Sequence, residues 1–229
     1  MSGYPSGMVR INGAGAWVVT ARASAWACRA AKRTVDVMAS LLLLMILGVP
    51  MLLIALAIRL ESPGPAIFRQ RRAGRDGRAF DMLKFRSMRA DVEAYGASPR
   101  SGDDPRLTRW GRRLRETSLD ELPQLLNVLA GQMSLVGPRP LYERQAALWD
   151  DRQRHRLDVR PGITGYAQAY GRGEMMLEDK IEFDLYYVAN ASLRLDAEIL
   201  LRTLANGAVR RSGGIYERRY SRTRETETD

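Results

Sequence analysis

Hydrophobic positions divide this chain into one unbroken block and a long series of short periodic runs. The block, Val37 to Ile58, reads VMASLLLLMILGVPMLLIALAI and holds no charged residue. As a helix it would be about 33 Å long, the thickness of a bilayer's hydrocarbon core. Eleven of its residues are Leu or Ile, each favouring insertion by roughly 0.3–0.6 kcal/mol. The block is too long for a signal peptide, starts well inside the chain, and is followed by ESPGP rather than a cleavage site. Pro50, with Gly48 two residues before it, predicts a kink, because proline removes the bond to the carbonyl of Ile46 and clashes with it. Arg29, Lys32 and Arg33 precede the block, and Arg59, Arg69, Arg71 and Arg72 follow it. Positive residues prefer the cytoplasmic face, so both flanks ask for the same side. A helix broken at Pro50 that enters and leaves by one face meets that demand. A kinked spanning helix stays open beside it, since membrane helices tolerate proline.

After the block the periods shorten. Ala66 to Arg69 and Ala79 to Phe85 read as strands of a hairpin with Asp76-Gly77 at its tip. RADVEAYG, 89–96, predicts a short helix. Leu107, Trp110, Gly111 and Leu114 fall on one helical face with arginines opposite. Leu122, Leu125, Leu126 and Leu129 form a second stripe, stopped by Gly131. MSLVGPRPLYER predicts a strand running into a rigid loop. EDKIEFDLYYVAN and SLRLDAEILLRTLANGAVR predict helices, with Asn190 or Ser192 capping the last. The expected fold class is therefore α/β and helix-rich. A membrane-embedded, Pro-kinked re-entrant helix over 32–60 carries one small domain over 61–212. Residues 1–31 read as a partly flexible extension, with Trp26 suited to the headgroup level. Residues 213–229 read as a charged, disordered tail.

Charge adds a partner class. The net charge is +10, nearly all from arginine, since Lys32, Lys84 and Lys180 are the only lysines. Arginine-favouring codons and an anionic partner explain this equally well. A single cysteine, Cys28, excludes an internal disulfide, and a single histidine, His155, excludes a multi-histidine metal site. His155 lies in DDRQRHRLD, which reads as a solvated helix face.

Candidate chemistry centres on TSLDELPQLLNVL, residues 117–129, where Asp120 and Glu121 stand side by side. Ser118 to Glu121 matches a capping box, and on local sequence this bland reading leads. Its weakness is Pro123, which fits better at the first helical position. That places both carboxylates just outside the helix, where two of them suit Mg²⁺ together with substrate phosphates. Arg139, between Pro138 and Pro140, sits on a stiff extended loop suited to bidentate phosphate binding. Arg160 precedes Pro161-Gly162, which predicts a type II turn. Lys84 and Arg86, in KFRSM, add cations on a strand.

Several motifs in series now have one resemblance. KRTVD, the apolar block with Pro50, SPGPAIFRQRRAG, LKFRSM, LDELPQLLNVLAGQMSLVGPRP, RPGITGYAQAYGR and EFDLYYVAN together resemble the bacterial sugar transferase family, the monotopic polyprenyl-phosphate phosphoglycosyltransferases. The resemblance covers residue 32 to about residue 212. It implies a phosphotransferase that moves a sugar-1-phosphate from a UDP-sugar to polyprenyl (undecaprenyl) phosphate, releasing UMP, as the first membrane step of glycan or exopolysaccharide assembly. It implies Asp120 as the nucleophile of a covalent intermediate and Glu121 as its assistant, both at Mg²⁺. It assigns phosphate charge to Lys84, Arg139 and Arg160, and places Asp184 and Tyr187 in or behind the site. A core-supporting role for Tyr187 is equally compatible. It also implies a re-entrant helix in the bacterial inner membrane, with the catalytic domain on the cytoplasmic side. Implied partners are membrane lipid, downstream glycosyltransferases and, as an open option, a second copy in a homodimer; nucleic acid is not among them. Two departures stand out. Val49 occupies the place where a serine precedes the helix-breaking proline, which leaves Gly48 to ease the bend. The upstream bundle of spanning helices found in large members is not apparent, so the compact form is expected. The rival reading is a non-catalytic, membrane-anchored basic binding or scaffold protein, for which Asp120 and Glu121 would be dispensable.

Overall fold

A computed structural model describes residues 25–92, 104–146, 149–171 and 176–212. Helix α1 (Ala25–Glu61) runs as one element through Gly48 and Pro50, starting ahead of the expected boundary at residue 32. It is long and apolar enough to cross a membrane. Its middle faces outward: Met45 is 78% exposed, Val49 67% and Leu52 72%. A continuous apolar surface of this kind suits lipid rather than water. The ends behave differently, with Asp36 and Ser40 buried at one and Ile58 at the other. A Cβ added at Gly48 would meet no neighbour within 4 Å, so this glycine packs against nothing.

Strands β1 (Ile67–Ala73) and β2 (Ala79–Phe85) form an antiparallel hairpin with Ile67 opposite Phe85 and Ala73 opposite Ala79. Asp76 and Gly77 turn its tip at φ 55° and 74°, as the Asp-Gly pair predicts. The hairpin feeds two cores. Phe80 and Met82 join Leu125, Val128, Met133, Val136, Tyr187 and Ile199. Phe85 joins Ile58, Ala66 and Leu114, next to the end of α1. The expected helix over 89–96 is a turn at residues 89–92; its remainder lies outside the described residues.

Helix α2 (Arg109–Thr117) is capped twice. The Thr108 hydroxyl accepts from the Gly111 amide at 2.9 Å, and the Glu61 carboxylate accepts from the Arg109 amide at 2.7 Å. Gly111 lies so close to the strand exit that an added Cβ would sit 1.9 Å from the Ser87 carbonyl oxygen. Leu114 is buried, but Trp110 stays 40% exposed and does not share the buried face expected of it. The reason is that α2 meets the core through Gly111 and Leu114 only.

Helix α3 (Gln124–Leu129) departs further from its expected leucine stripe. Leu126 is exposed, while Gln124 and Asn127 are buried. Asn127 accepts from the Leu83 amide at 2.9 Å and donates to the Asp81 carbonyl at 2.8 Å, so it pins α3 to β2. Gly131 stops the helix at φ 77°. Two cations complete that end: Arg33 from α1 donates to the carbonyls of Val128 and Leu129, and Arg160 to that of Gly131.

Strand β3 (Ser134–Val136) pairs in parallel with β4 (Gly162–Thr164). In the chain, short helices α4 (Glu143–Ala146) and α5 (Asp151–Arg154) lie between these strands and α6 (Tyr166–Tyr170) follows β4; α4 packs on β1. Pro161-Gly162 does not form the expected type II turn, because Gly162 is a strand residue without positive φ. Its glycine is needed for closeness instead: a Cβ there would stand 2.1 Å from the Gly137 nitrogen. Helices α7 (Leu177–Asn190) and α8 (Leu193–Ser212) cover the core. Ser192, and not Asn190, caps α8, accepting from the Leu195 amide at 3.2 Å; the Asn190 amide bonds back to Tyr186.

Candidate active site

Helix α2 ends because Ser118 adopts a left-handed conformation, φ 59°. The chain then makes one tight helical turn, Leu119–Glu121, and reaches Pro123 at φ −60°, the residue that enters α3. Both carboxylates therefore lie before α3. The capping box is not formed: the Ser118 hydroxyl caps nothing. Glu121 turns to cations from two other elements. Lys84 of β2 donates to Glu121 Oε1 at 2.8 Å, and Arg139 donates to the same oxygen at 2.9 Å. Tertiary partners have displaced the local cap, since two charge-assisted bonds outweigh one bond to a backbone amide.

The two carboxylates are in opposite electrostatic states. Burial raises the Glu121 carboxyl, but Arg139 and Lys84 overcome it and hold the group at about 2. Burial pushes the Asp120 carboxyl up to about 6, with Lys84 opposing. Asp120 is 7% exposed, and among the described residues its carboxylate has no hydrogen-bond or ion-pair partner. Lys84 is itself lowered by desolvation, against the pull of Glu121. The result is a spare carboxylate beside a neutralised one, with two cations on the latter. Such a group is a good nucleophile or hard-metal ligand, since no donor among the described residues competes for its oxygens.

No cluster of three or more His, Cys, Asp or Glu side chains exists among the described residues. Asp120 and Glu121 still fit Mg²⁺, which takes one or two carboxylates when substrate phosphates complete its shell. The observation that supports the fit is the unpartnered Asp120 carboxylate, together with the fact that both bonds to Glu121 fall on one oxygen.

The other expected site residues separate into two groups. Lys84, Arg139, Asp120 and Glu121 converge. Arg86 does not join them: it is buried and donates to the carbonyls of Pro63, Ile58 and Ser62, tying down the end of α1. Arg160 stands at the end of α3 beside Arg33, as described above. Tyr187 is 1% exposed, and its hydroxyl bonds the Val136 carbonyl and Asp196 in the core. Asp184 is a step behind the site, paired with the buried Arg156 guanidinium, which also donates to the Arg139 carbonyl at 3.0 Å. Burial pushes Asp184 up to about 6, against Arg156. Gly48 and Pro50 lie in α1, apart from these residues in the chain. Arg156 is the residue that sequence reasoning missed. Nothing local distinguishes it from Arg152 and Arg154, which are solvated as expected, as is His155.

Residues 27–210 match the family described as bacterial sugar transferase. The chain is 41% identical over 196 residues to the UDP-glucose:undecaprenyl-phosphate glucose-1-phosphate transferase of Escherichia coli, covering 80% of this chain and 41% of that protein. It is 42% identical over 198 residues to the exopolysaccharide production protein PSS of Rhizobium leguminosarum, covering 80% of this chain and 97% of that one. A UDP-N-acetylgalactosamine-undecaprenyl-phosphate N-acetylgalactosaminephosphotransferase of Aeromonas hydrophila is 42% identical over 182 residues, covering 76% and 42%. The chain thus spans about two-fifths of two of these relatives and nearly all of the third.

Proposed function

The chain belongs to the bacterial sugar transferase family, and on that premise we propose that it is a polyprenyl-phosphate sugar-1-phosphate transferase. The donor is a UDP-sugar and the acceptor undecaprenyl phosphate, the substrates in the names of its E. coli and Aeromonas relatives. One observation carries the assignment of roles. Of two adjacent carboxylates, Glu121 is neutralised by Lys84 and Arg139, while Asp120 has no hydrogen-bond or ion-pair partner among the described residues.

An Asp120 carboxylate oxygen attacks the β-phosphorus of the donor. The bond from that phosphorus to the bridging oxygen breaks, and UMP departs with the electron pair. The resulting acyl phosphate carries the sugar. An oxygen of the lipid phosphate then attacks the same phosphorus, giving polyprenyl-diphosphate-sugar and returning Asp120 as carboxylate. Asp120 and Glu121 would hold Mg²⁺, which when bound neutralises diphosphate charge. Arg139, on its stiff loop, and Lys84 receive phosphate oxygens as charge develops. Both can do so by sharing or exchanging Glu121.

We place α1 in the bacterial inner membrane as a re-entrant helix bent at Pro50, with the domain on the cytoplasmic side. The support is that both of its ends hold the same domain. Lys32 pairs with Asp196 at 2.5 Å and Asp36 accepts from the Leu135 amide at one end; Glu61 caps α2 at the other. The apolar middle is left outward. The product would enter glycan assembly, in keeping with the name of the Rhizobium relative.

The test is UMP release by nanodisc-held protein with undecaprenyl phosphate, Mg²⁺ and a panel of UDP-sugars. Wild type should respond to one donor, and Asp120→Asn should lose at least about 10⁴-fold, as for removal of a nucleophile elsewhere. Equal activity in the variant would remove Asp120 from the chemistry. Silence of wild type with every donor would favour a scaffold.

A further inference from the structure

The proline-flanked loop is held through its carbonyls. Pro138 and Pro140 have no N–H to offer, so donors must come from elsewhere. Four consecutive carbonyls each receive one. The Gly162 amide donates to Pro138 O at 2.9 Å and the Ala73 amide to Leu141 O at 3.0 Å. Between them, Arg156 Nη2 donates to Arg139 O at 3.0 Å and Arg72 Nη1 to Pro140 O at 3.2 Å.

Each of these two guanidiniums is braced. Arg156 is paired with Asp184 and lies over the Trp149 ring, 4.8 Å from its centroid. Arg72 donates to Gln70 Oε1 at 2.5 Å and lies 3.8 Å over the Tyr142 ring. Neither makes a hydrogen bond to Asp120 or Glu121. Water would satisfy a surface carbonyl at little cost. Burying a paired guanidinium carries a desolvation cost, so its presence here points to a need for position. The residue whose position is at stake is Arg139, whose half-exposed side chain must span from this backbone to Glu121.

We propose that Arg156 and Arg72 are positioning residues that clamp the carbonyls of Arg139 and Pro140, and so hold the Arg139 guanidinium at Glu121 for a phosphate oxygen. The inference rests on the function proposed above for the identity of that phosphate. It does not rest on it for the clamp.

A double-mutant cycle separates a clamp from a general structural role. Arg72→Gln, Arg156→Lys and Arg139→Ala are compared alone and in pairs, in the full-length protein. With Arg139 present, Arg72→Gln should lower kcat/KM for UMP release about tenfold, since sub-ångström misplacement is costly. With Arg139→Ala it should lower it less than about twofold. Equal losses in both backgrounds overturn the clamp. Should Arg156→Lys fail to fold, the more accessible Arg72 arm decides. The same cycle is read by calorimetric binding of inorganic pyrophosphate, which needs no turnover. Non-additive pyrophosphate affinities with no UMP from any donor would sustain the clamp and reject the reaction. Absence of both UMP release and pyrophosphate binding in wild type overturns both.

Discussion

Two ion clusters lie on either side of the Arg139 backbone, and they are built differently. Lys84, Glu121 and Arg139 form an open cluster, with side chains 17%, 18% and 49% exposed. Two cations share one carboxylate oxygen there, so each keeps donors free to turn to an incoming phosphate. Arg156 and Asp184 form a closed one, 3% and 2% exposed, with one charge of each sign. An open cluster can bind. A closed one can only hold, because its two charges are spent on each other and no ligand can reach them. An arginine seventeen residues from Arg139 can thus serve it from behind, holding its backbone carbonyl without reaching the ligand.

The sharpest way to break this contrast is Asp184→Asn. It strands the buried Arg156 guanidinium, and stability should fall by about 3–5 kcal/mol. The check is the denaturant midpoint in detergent; a loss below about 1 kcal/mol would show that the pair is not closed. Arg139→Lys comes next. It should leave the midpoint within about 0.5 kcal/mol, as for surface sites, yet lower kcat/KM for UMP release about ten- to hundredfold through loss of bidentate geometry. Unchanged kcat/KM would place phosphate binding elsewhere.

The smallest effects are those of pH, and the two carboxylates should respond with opposite signs. Glu121 is depressed to about 2, so it contributes stability at neutral pH. That contribution is lost as pH falls from about 4.5 toward 2. Asp120 is raised to about 6. The stability linked to its protonated form is present below about pH 4 and lost as pH rises through 6. Melting curves of Glu121→Gln and Asp120→Asn without Mg²⁺ should therefore both approach wild type at the acid end, where the carboxyls are neutral like the amides, and part from it at neutral pH with Glu121→Gln below wild type and Asp120→Asn above it. Curves parallel to wild type would refute the assigned states.

Much of the local structure was legible because its causes are local. Asp76-Gly77 makes its tip and Gly131 its stop by their own backbone freedom. Pro123 excluded Asp120 and Glu121 from α3 by its own missing donor. The apolar block makes α1 by composition. The pair of carboxylates and Arg139 could be picked out, since proline on both sides marks a stiff backbone. The misses share a different cause. The capping box over Ser118 and Glu121 is correct as a pattern, but Lys84 and Arg139, distant in sequence, offer Glu121 stronger partners. The leucine stripe of α3 fails at Leu126 because Asn127 is drawn inward by the edge of β2.

Sequence alone determined the long apolar helix, the hairpin, the last two helices and the family resemblance, and it marked Asp120, Glu121 and Arg139 as candidates. Tertiary structure alone decided what each arginine does. Arg33, Arg72, Arg86 and Arg156 all end on backbone carbonyls, and Arg139 on a carboxylate. A guanidinium is long, always charged and offers five donors. Its role is set by which acceptor the fold brings within hydrogen-bond reach, and that reach is a property of the packed chain.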